Sequence, residues 1–206
     1  MKGREFIMNI DLKEHEIVKN AEVYGLIPSI VASKYPMLSS EPSVAMQFIV
    51  DNDIKRASRL GNAPQGSGHD CYLKGIIVQF DLSFTRQAWL EAARYHFLDF
   101  VSSMSTMHSL TKMQQVYSKY VDSGVINAFN YVLATYQLNP TEYNWRHVIY
   151  SYPVGLVLTA RMTTNYLQLK TIYAQRRTHR LPEWQLFCDW IETLPKVKEL
   201  GVVTDV

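Results

Sequence analysis

Cysteine is nearly absent. The two residues, Cys71 and Cys188, lie far apart with no C-x-x-C spacing, which argues against a disulfide framework or a thiolate zinc site and fits a reducing compartment. No apolar run approaches the length of a membrane span, and the N-terminus, with Lys2, Arg4 and Glu5 around a short apolar run, lacks a secretory-signal pattern. The expectation is a cytoplasmic protein with no membrane partner. Charge of one sign is also scarce: a net charge of +2 is too mild to point to nucleic acid by itself. The Gly-rich stretch 61–70 (GNAPQGSGHD) lacks the Gly-Lys-Ser/Thr end of a phosphate loop and precedes a strand pattern instead of a helix. There is no nucleophile elbow and no HExxH, and the six histidines are scattered. No metal site is expected.

What is present suits one globular domain spanning 1–206, with 47% hydrophobic and 19% charged residues and enough length for a real core. Glu5 to Leu12 and Leu73 to Phe84 read as strands. Helical spacing is predicted for Lys13 to Leu26, for a short piece near Ile30 to Lys34, and for Ser43 to Leu60, with Asp51, Asn52 and Asp53 a potential interruption. Phe84 to about Phe100 reads as an amphipathic or largely buried helix carrying Arg94 and His96. Ser105 is a candidate cap for a second helix to about Tyr120. Val116 to Leu138, broken at Gly124, a short piece from Thr141, a long helix from Leu156 to His179, and a helix restarting at Leu181-Pro182 complete the pattern. The fold class is α+β, a small mixed or antiparallel sheet packed against a large helical layer.

Two stretches carry chemistry. Ser102, Ser103, Ser105 and Thr106 follow the expected Arg94/His96 helix, and a hydroxyl-rich helix entry with free N–H groups is a place for a phosphate. Asn165 and Arg176 are eleven residues apart. On one helix that places them close to one face, about 16 Å apart along the axis, the span of a nucleotide-sized site. Arg176 to Arg180 is the densest positive charge in the chain, although cations at a helix C-terminus also offset the macrodipole.

These residues resemble the flavin-dependent thymidylate synthases, which carry Arg-His-Arg on a helix, then seven residues and a serine. With His96 on the family's His, Ser105 falls on its serine, while Tyr95, Phe97 and Met107 stand where arginines belong. Arg94 and His108 are the nearest replacements. The family's earlier flavin-facing His falls on or beside His69, and its later Asn and Arg fall on Asn165 and on Arg176 or Arg177, ahead of a Trp helix matched by Glu183-Trp184-Gln185-Leu186. The resemblance implies FAD as cofactor, a folate one-carbon donor (methylenetetrahydrofolate), NADPH as reductant, and methyl or hydroxymethyl transfer to dUMP in a homotetramer with sites at subunit interfaces. It implies that Arg94, Ser105 and Thr106 hold substrate, that His69, His96 and Asn165 line the flavin, and that Arg176 or Arg177 orients the base. Three missing arginines remove charge-assisted phosphate contacts. Either Arg86, Arg94, Arg161 and Arg177 rebuild the site, or the chain is a non-catalytic relative that binds a nucleotide or a protein partner.

Overall fold

Strand β2 (Ile77–Thr85) sends Val78, Phe80, Leu82 and Phe84 into the interior, all fully buried, and leaves Gln79, Asp81 and Ser83 half-exposed. That period-two alternation belongs to a sheet with one face covered. In this computed structural model, which describes residues 15–41, 49–64 and 66–204, β2 lies between β1 (Val18–Tyr24) and β4 (Val157–Asn165). An edge strand, β3 (Asp99–Ser103), pairs with β4, giving an antiparallel sheet ordered β1-β2-β4-β3. The described helices are α1 (Leu26–Ala32), α2 (Asp51–Gly61), α3 (Arg86–Ala92), α4 (Thr106–Ser109), α5 (Ser123–Leu138), α6 (Glu142–Ser151), α7 (Tyr166–Arg176) and α8 (Pro182–Ile191). The α+β expectation holds. Of the two expected strands, Leu73 to Phe84 appears as β2, preceded by a tight turn over Cys71–Gly75; Glu5 to Leu12 lies outside the described residues.

Helix α8 starts as its sequence predicts, with Pro at the first turn, where its missing N–H costs nothing. It buries Trp184, Phe187, Trp190 and Ile191 against the sheet. Phe80 meets Trp190 at 4.6 Å between ring centroids, and Phe84 meets Trp184 edge-on at 5.0 Å. A second cluster, built on Ile126, Phe129 and Leu133 of α5 and on Val148 and Ile149 of α6, joins Leu110, Val116 and Leu156.

Several expected helices are instead strands or joints. Lys13 to Leu26 is not a helix: Val18–Tyr24 forms β1, with a bulge between Lys19 and Glu22 where Asn20 takes φ 49°. Phe84 is the last core residue of β2, and the helix that follows is only Arg86–Ala92, so Arg94 and His96 sit in the turn leading to β3. The helix expected from Ser105 to Tyr120 shrinks to one turn, α4, with a 3-10 turn over Leu110–Lys112, and the Ser105 hydroxyl makes no cap bond. The long helix from Leu156 divides into β4 and α7. Of the helix expected from Ser43 to Leu60, residues 43–48 lie outside the described residues, and Asp51, Asn52 and Asp53 begin α2, where Asp53 reaches back to the Val50 N–H at 3.3 Å.

Candidate functional site

Helix α3 is short, and its two sides face two different cavities. Thr85 caps it, accepting the Ala88 N–H at 3.2 Å while its own hydroxyl donates to the buried Glu183 carboxyl at 2.5 Å. This ties the joint between β2 and α3 to the first turn of α8.

On one side lies a cleft of about 440 Å³, bounded by Arg86, Trp89, Phe100, Ser105, Thr106 and Tyr152 among others. Trp89 is fixed in place: its indole N–H donates to the Leu158 carbonyl at 3.0 Å, and its ring lies 5.0 Å from Phe100. The Arg86 guanidinium stands 4.8 Å over the Tyr152 ring and has no carboxylate partner among the described residues. An unneutralised cation, two hydroxyls and an aromatic wall are the side chains that recognise a phosphorylated, ring-bearing ligand. Sequence reasoning found Ser105 and Thr106 here and named Arg86 only as a substitute; Trp89 was not singled out.

On the other side, Glu91, His179 and Arg180 border a cavity of about 480 Å³ together with Gln87, Gln175 and Leu181. Arg176, one of the two candidates to orient the base, sits behind this cavity. Its NH1 donates to the Glu91 carboxylate, its Nε donates to the Tyr95 hydroxyl at 2.7 Å, and its guanidinium carbon stands 4.6 Å over the Trp184 ring. Arg177 turns the opposite way, to Asp189 at 2.5 Å and Glu192 at 3.5 Å. Arg176 neighbours α3, and Arg177 belongs to an ion-pair network between α7 and α8. The contacts of Glu91 and Tyr95 with Arg176 were not legible because nothing local in the sequence marks them as partners. The separations along the chain are 85 and 81 residues.

The remaining candidates are separate. His69 is exposed on the loop after α2, where Asp70 is buried and paired with Lys170 at 2.8 Å. Asn165 caps α7, accepting the Gln168 N–H at 2.9 Å, and Arg176 is the last residue of that helix, so the expected pair does mark its two ends. Arg94 and His96 are exposed and carry no ion pair among the described residues. In the described chain, Ser105 and Thr106 share a cleft, while His69, His96, Asn165 and Arg176 are not gathered into one cavity with them.

Phe97, standing where the resemblance places an arginine, takes φ 60° and is exposed, with its carbonyl accepting the Thr164 hydroxyl at 2.6 Å. A bulky side chain at positive φ is strained by about 1 kcal/mol or more. Phe97→Gly is expected to raise stability by roughly 0.5–1 kcal/mol, because glycine adopts this conformation freely and little packing is lost. A urea midpoint that falls instead of rising would show that the exposed ring has a packing role.

Comparison with known proteins gives the fold. No protein-family model matches the sequence, and a search of curated proteins finds no match. Among solved structures the chain is similar to the flavin-dependent thymidylate synthase ThyX of Helicobacter pylori in complex with FAD and dUMP, with a TM-score of 0.68, 19% identity, and coverage of 90% of this chain and 97% of that one. A second structure of the same enzyme with FAD and dUMP matches at a TM-score of 0.67 and 18% identity, covering 90% and 96%. The chain thus has the fold of the flavin-dependent thymidylate synthases over nearly its whole length. No helix among the described residues is long and apolar enough to cross a membrane.

Proposed function

We propose that this protein binds FAD and a pyrimidine deoxynucleotide and transfers a one-carbon group, methyl or hydroxymethyl, to the base, with subunits sharing each site. The observation that carries this reading is the cleft where Arg86, unpaired by any described carboxylate, faces Ser105 and Thr106 beside Trp89 and Tyr152. The similar structures hold FAD and dUMP, and the cleft supplies a cation and hydroxyls for a nucleotide phosphate. The base-orienting Arg176 lies on the other side of α3. One chain therefore presents two half-sites. A homo-oligomer, a tetramer by the resemblance, would bring the Ser105 cleft of one subunit to the Arg176 side of another.

The fit to FAD rests on the donor set. Arg94 and His96, exposed on the turn between α3 and β3 and without an ion pair among the described residues, suit a pyrophosphate, and Asn165, whose oxygen is occupied by its cap bond, keeps its amide N–H groups for a ring carbonyl. When bound, FAD supplies the reducing electrons, with NADPH and methylenetetrahydrofolate as electron and carbon donors. No protein nucleophile is then required, which accords with the lack of a nucleophile motif. The chain's own part is to orient the base, hold the phosphate and exclude water.

A second reading is favoured by Tyr95. Its hydroxyl is occupied by Arg176 and Gln175 and its ring packs 5.8 Å from Trp184, so this position is structural and unable to bind phosphate. On that reading the chain binds a nucleotide or a protein without catalysis. Thermal shift of the full chain with FAD and with pyrimidine deoxynucleotides separates the two, since a ligand at 100 times its Kd stabilises by about 2.7 kcal/mol. The proposal expects both to shift the melt, with loss of the nucleotide shift in Arg86→Ala. Absence of any flavin effect would leave only the second reading.

A further inference from the structure

Three side chains from other elements decide which nitrogens of Arg176 remain free. Nε donates to the Tyr95 oxygen at 2.7 Å, NH1 donates to the Glu91 carboxylate, and the guanidinium carbon stands 4.6 Å over the Trp184 ring. NH2 makes no hydrogen bond among the described residues. Nor is it sealed in: the side-chain polar atoms that are both enclosed and unpartnered among the described residues are Nδ1 of His15, Oε2 of Glu183 and Nε1 of Trp184. Two nitrogens are thus held by the chain, and the third keeps contact with solvent.

The Tyr95 hydroxyl is itself fixed. An arginine only donates, so the phenol oxygen accepts from Nε, and the phenolic hydrogen goes to Oε1 of Gln175, 2.9 Å away. Gln175 precedes Arg176 on α7, so the hydroxyl is pinned between two successive residues of one helix. The ring is placed separately, 5.8 Å from Trp184. Carboxylates favour two-point pairing with a guanidinium. With Nε given to the phenol, the side-on fork, which needs Nε, is closed to Glu91, and the carboxylate bonds NH1 alone.

We propose that Tyr95 is a positioning residue for the pyrimidine: by occupying Nε it holds the Arg176 guanidinium in one orientation and keeps NH2 for the base, without touching the ligand itself. The inference rests on the pyrimidine-nucleotide reading above, in which Arg176 orients the base, and adds the residue that sets Arg176. A guanidinium held at one nitrogen swings about that contact, and a ligand must then order it. Held at two nitrogens and stacked on an indole, it is ordered before the ligand arrives. The tyrosine thereby has a role in nucleotide binding at a position where the resemblance places an arginine.

Isothermal titration of the full chain, with FAD present, compares dUMP with 2-deoxyribose 5-phosphate, which carries the phosphate and no base. The unaltered chain is expected to bind dUMP the more tightly. Tyr95→Phe keeps the ring against Trp184 and is expected to weaken dUMP by roughly tenfold, the factor carried by one hydrogen bond to a charged group. The sugar phosphate should change by less than about twofold in the same variant, since that ligand does not use Arg176. In an Arg176→Met background, where the guanidinium is absent, Tyr95→Phe should weaken dUMP no further, which a purely structural tyrosine would not predict. Unchanged dUMP binding in Tyr95→Phe, equal weakening of both ligands, or the same loss in the Arg176→Met background overturns the inference while leaving the nucleotide reading standing. Equal binding of the two ligands by the unaltered chain removes Arg176 from the base and overturns the inference as well. Binding of neither overturns both the inference and the reading beneath it.

Discussion

Between pH 8 and pH 11 the folded chain is expected to lose on the order of 4 kcal/mol of stability, a large part of the total for a domain of this size. Burial pushes the Cys188 thiol up to about 12 and Tyr166 above its ordinary range. Cys188 is fully buried on α8, and Tyr166 is fully buried with its hydroxyl donating to the Pro195 carbonyl at 2.8 Å. In the unfolded chain a thiol loses its proton near 8.5 and a phenol near 10. Above those values the unfolded state binds fewer protons than the folded one, so stability is full below about pH 8.5 and falls by about 1.4 kcal/mol per pH unit for each such group, until the folded group itself titrates. Cys188 supplies most of the fall, and Tyr166 joins near pH 10. Tyr72, raised by burial and by the Asp70 carboxylate, acts in the same direction. Urea unfolding at pH 8, 9.5 and 11 measures it, and Cys188→Ala should be flat to about pH 10 and fall only beyond. Stability unchanged through pH 11 in the unaltered chain would mean that these groups are solvated.

How much of this was legible in the sequence depends on where each contact partner sits. The strand β2 and the helix α8 were readable because their signals are local: strict alternation in one, Pro at the first turn and a Trp-Phe-Cys-Ile face in the other. The strand β4 was hidden by a coincidence of burial. Met162 points inward from the strand and Tyr166, Leu169 and Tyr173 point inward from α7, so the apolar stripe runs on at helical spacing across a change of backbone. The same thing happens at Phe84, Ala88 and Ala92 across the joint of β2 and α3. In both places the true boundary is a capping residue, Asn165 or Thr85, whose side chain accepts the N–H three residues on. Those two caps were the available signal.

The candidate site was less legible than the fold because charge in a sequence says nothing of its counter-charge. Arg176 and Arg177 stand in the densest basic run of the chain, yet Glu91 neutralises one and Asp189 with Glu192 the other. Arg86, in a less conspicuous place, keeps its charge open to the cleft. The two arginines with opposite partners are adjacent in sequence because successive residues on a helix project about 100° apart, one toward α3 and one toward α8.

Trp184→Ala is expected to cost about 3–5 kcal/mol, the range for removing a large buried aromatic ring. The indole is fully buried and meets Phe84 at 5.0 Å, Tyr95 at 5.8 Å and Phe187 at 6.1 Å, with the Arg176 guanidinium 4.6 Å over it. Truncation opens a void between the sheet and α8 and removes the surface on which Arg176 is held. Trp184→Phe should cost far less, about 1.5 kcal/mol or under, because it keeps an aromatic ring and removes an indole N–H that finds no acceptor among the described residues. The pair of variants also separates packing from positioning. Trp184 carries the Arg176 guanidinium proposed to orient the base, so Trp184→Ala, assayed at a temperature where it remains folded, should weaken nucleotide binding, while Trp184→Phe should bind nearly as the unaltered chain does. Chemical denaturation gives the first quantity and titration with nucleotide the second. A cost below about 1 kcal/mol for Trp184→Ala would remove Trp184 from the core, and unweakened binding would detach the Arg176 network from the nucleotide.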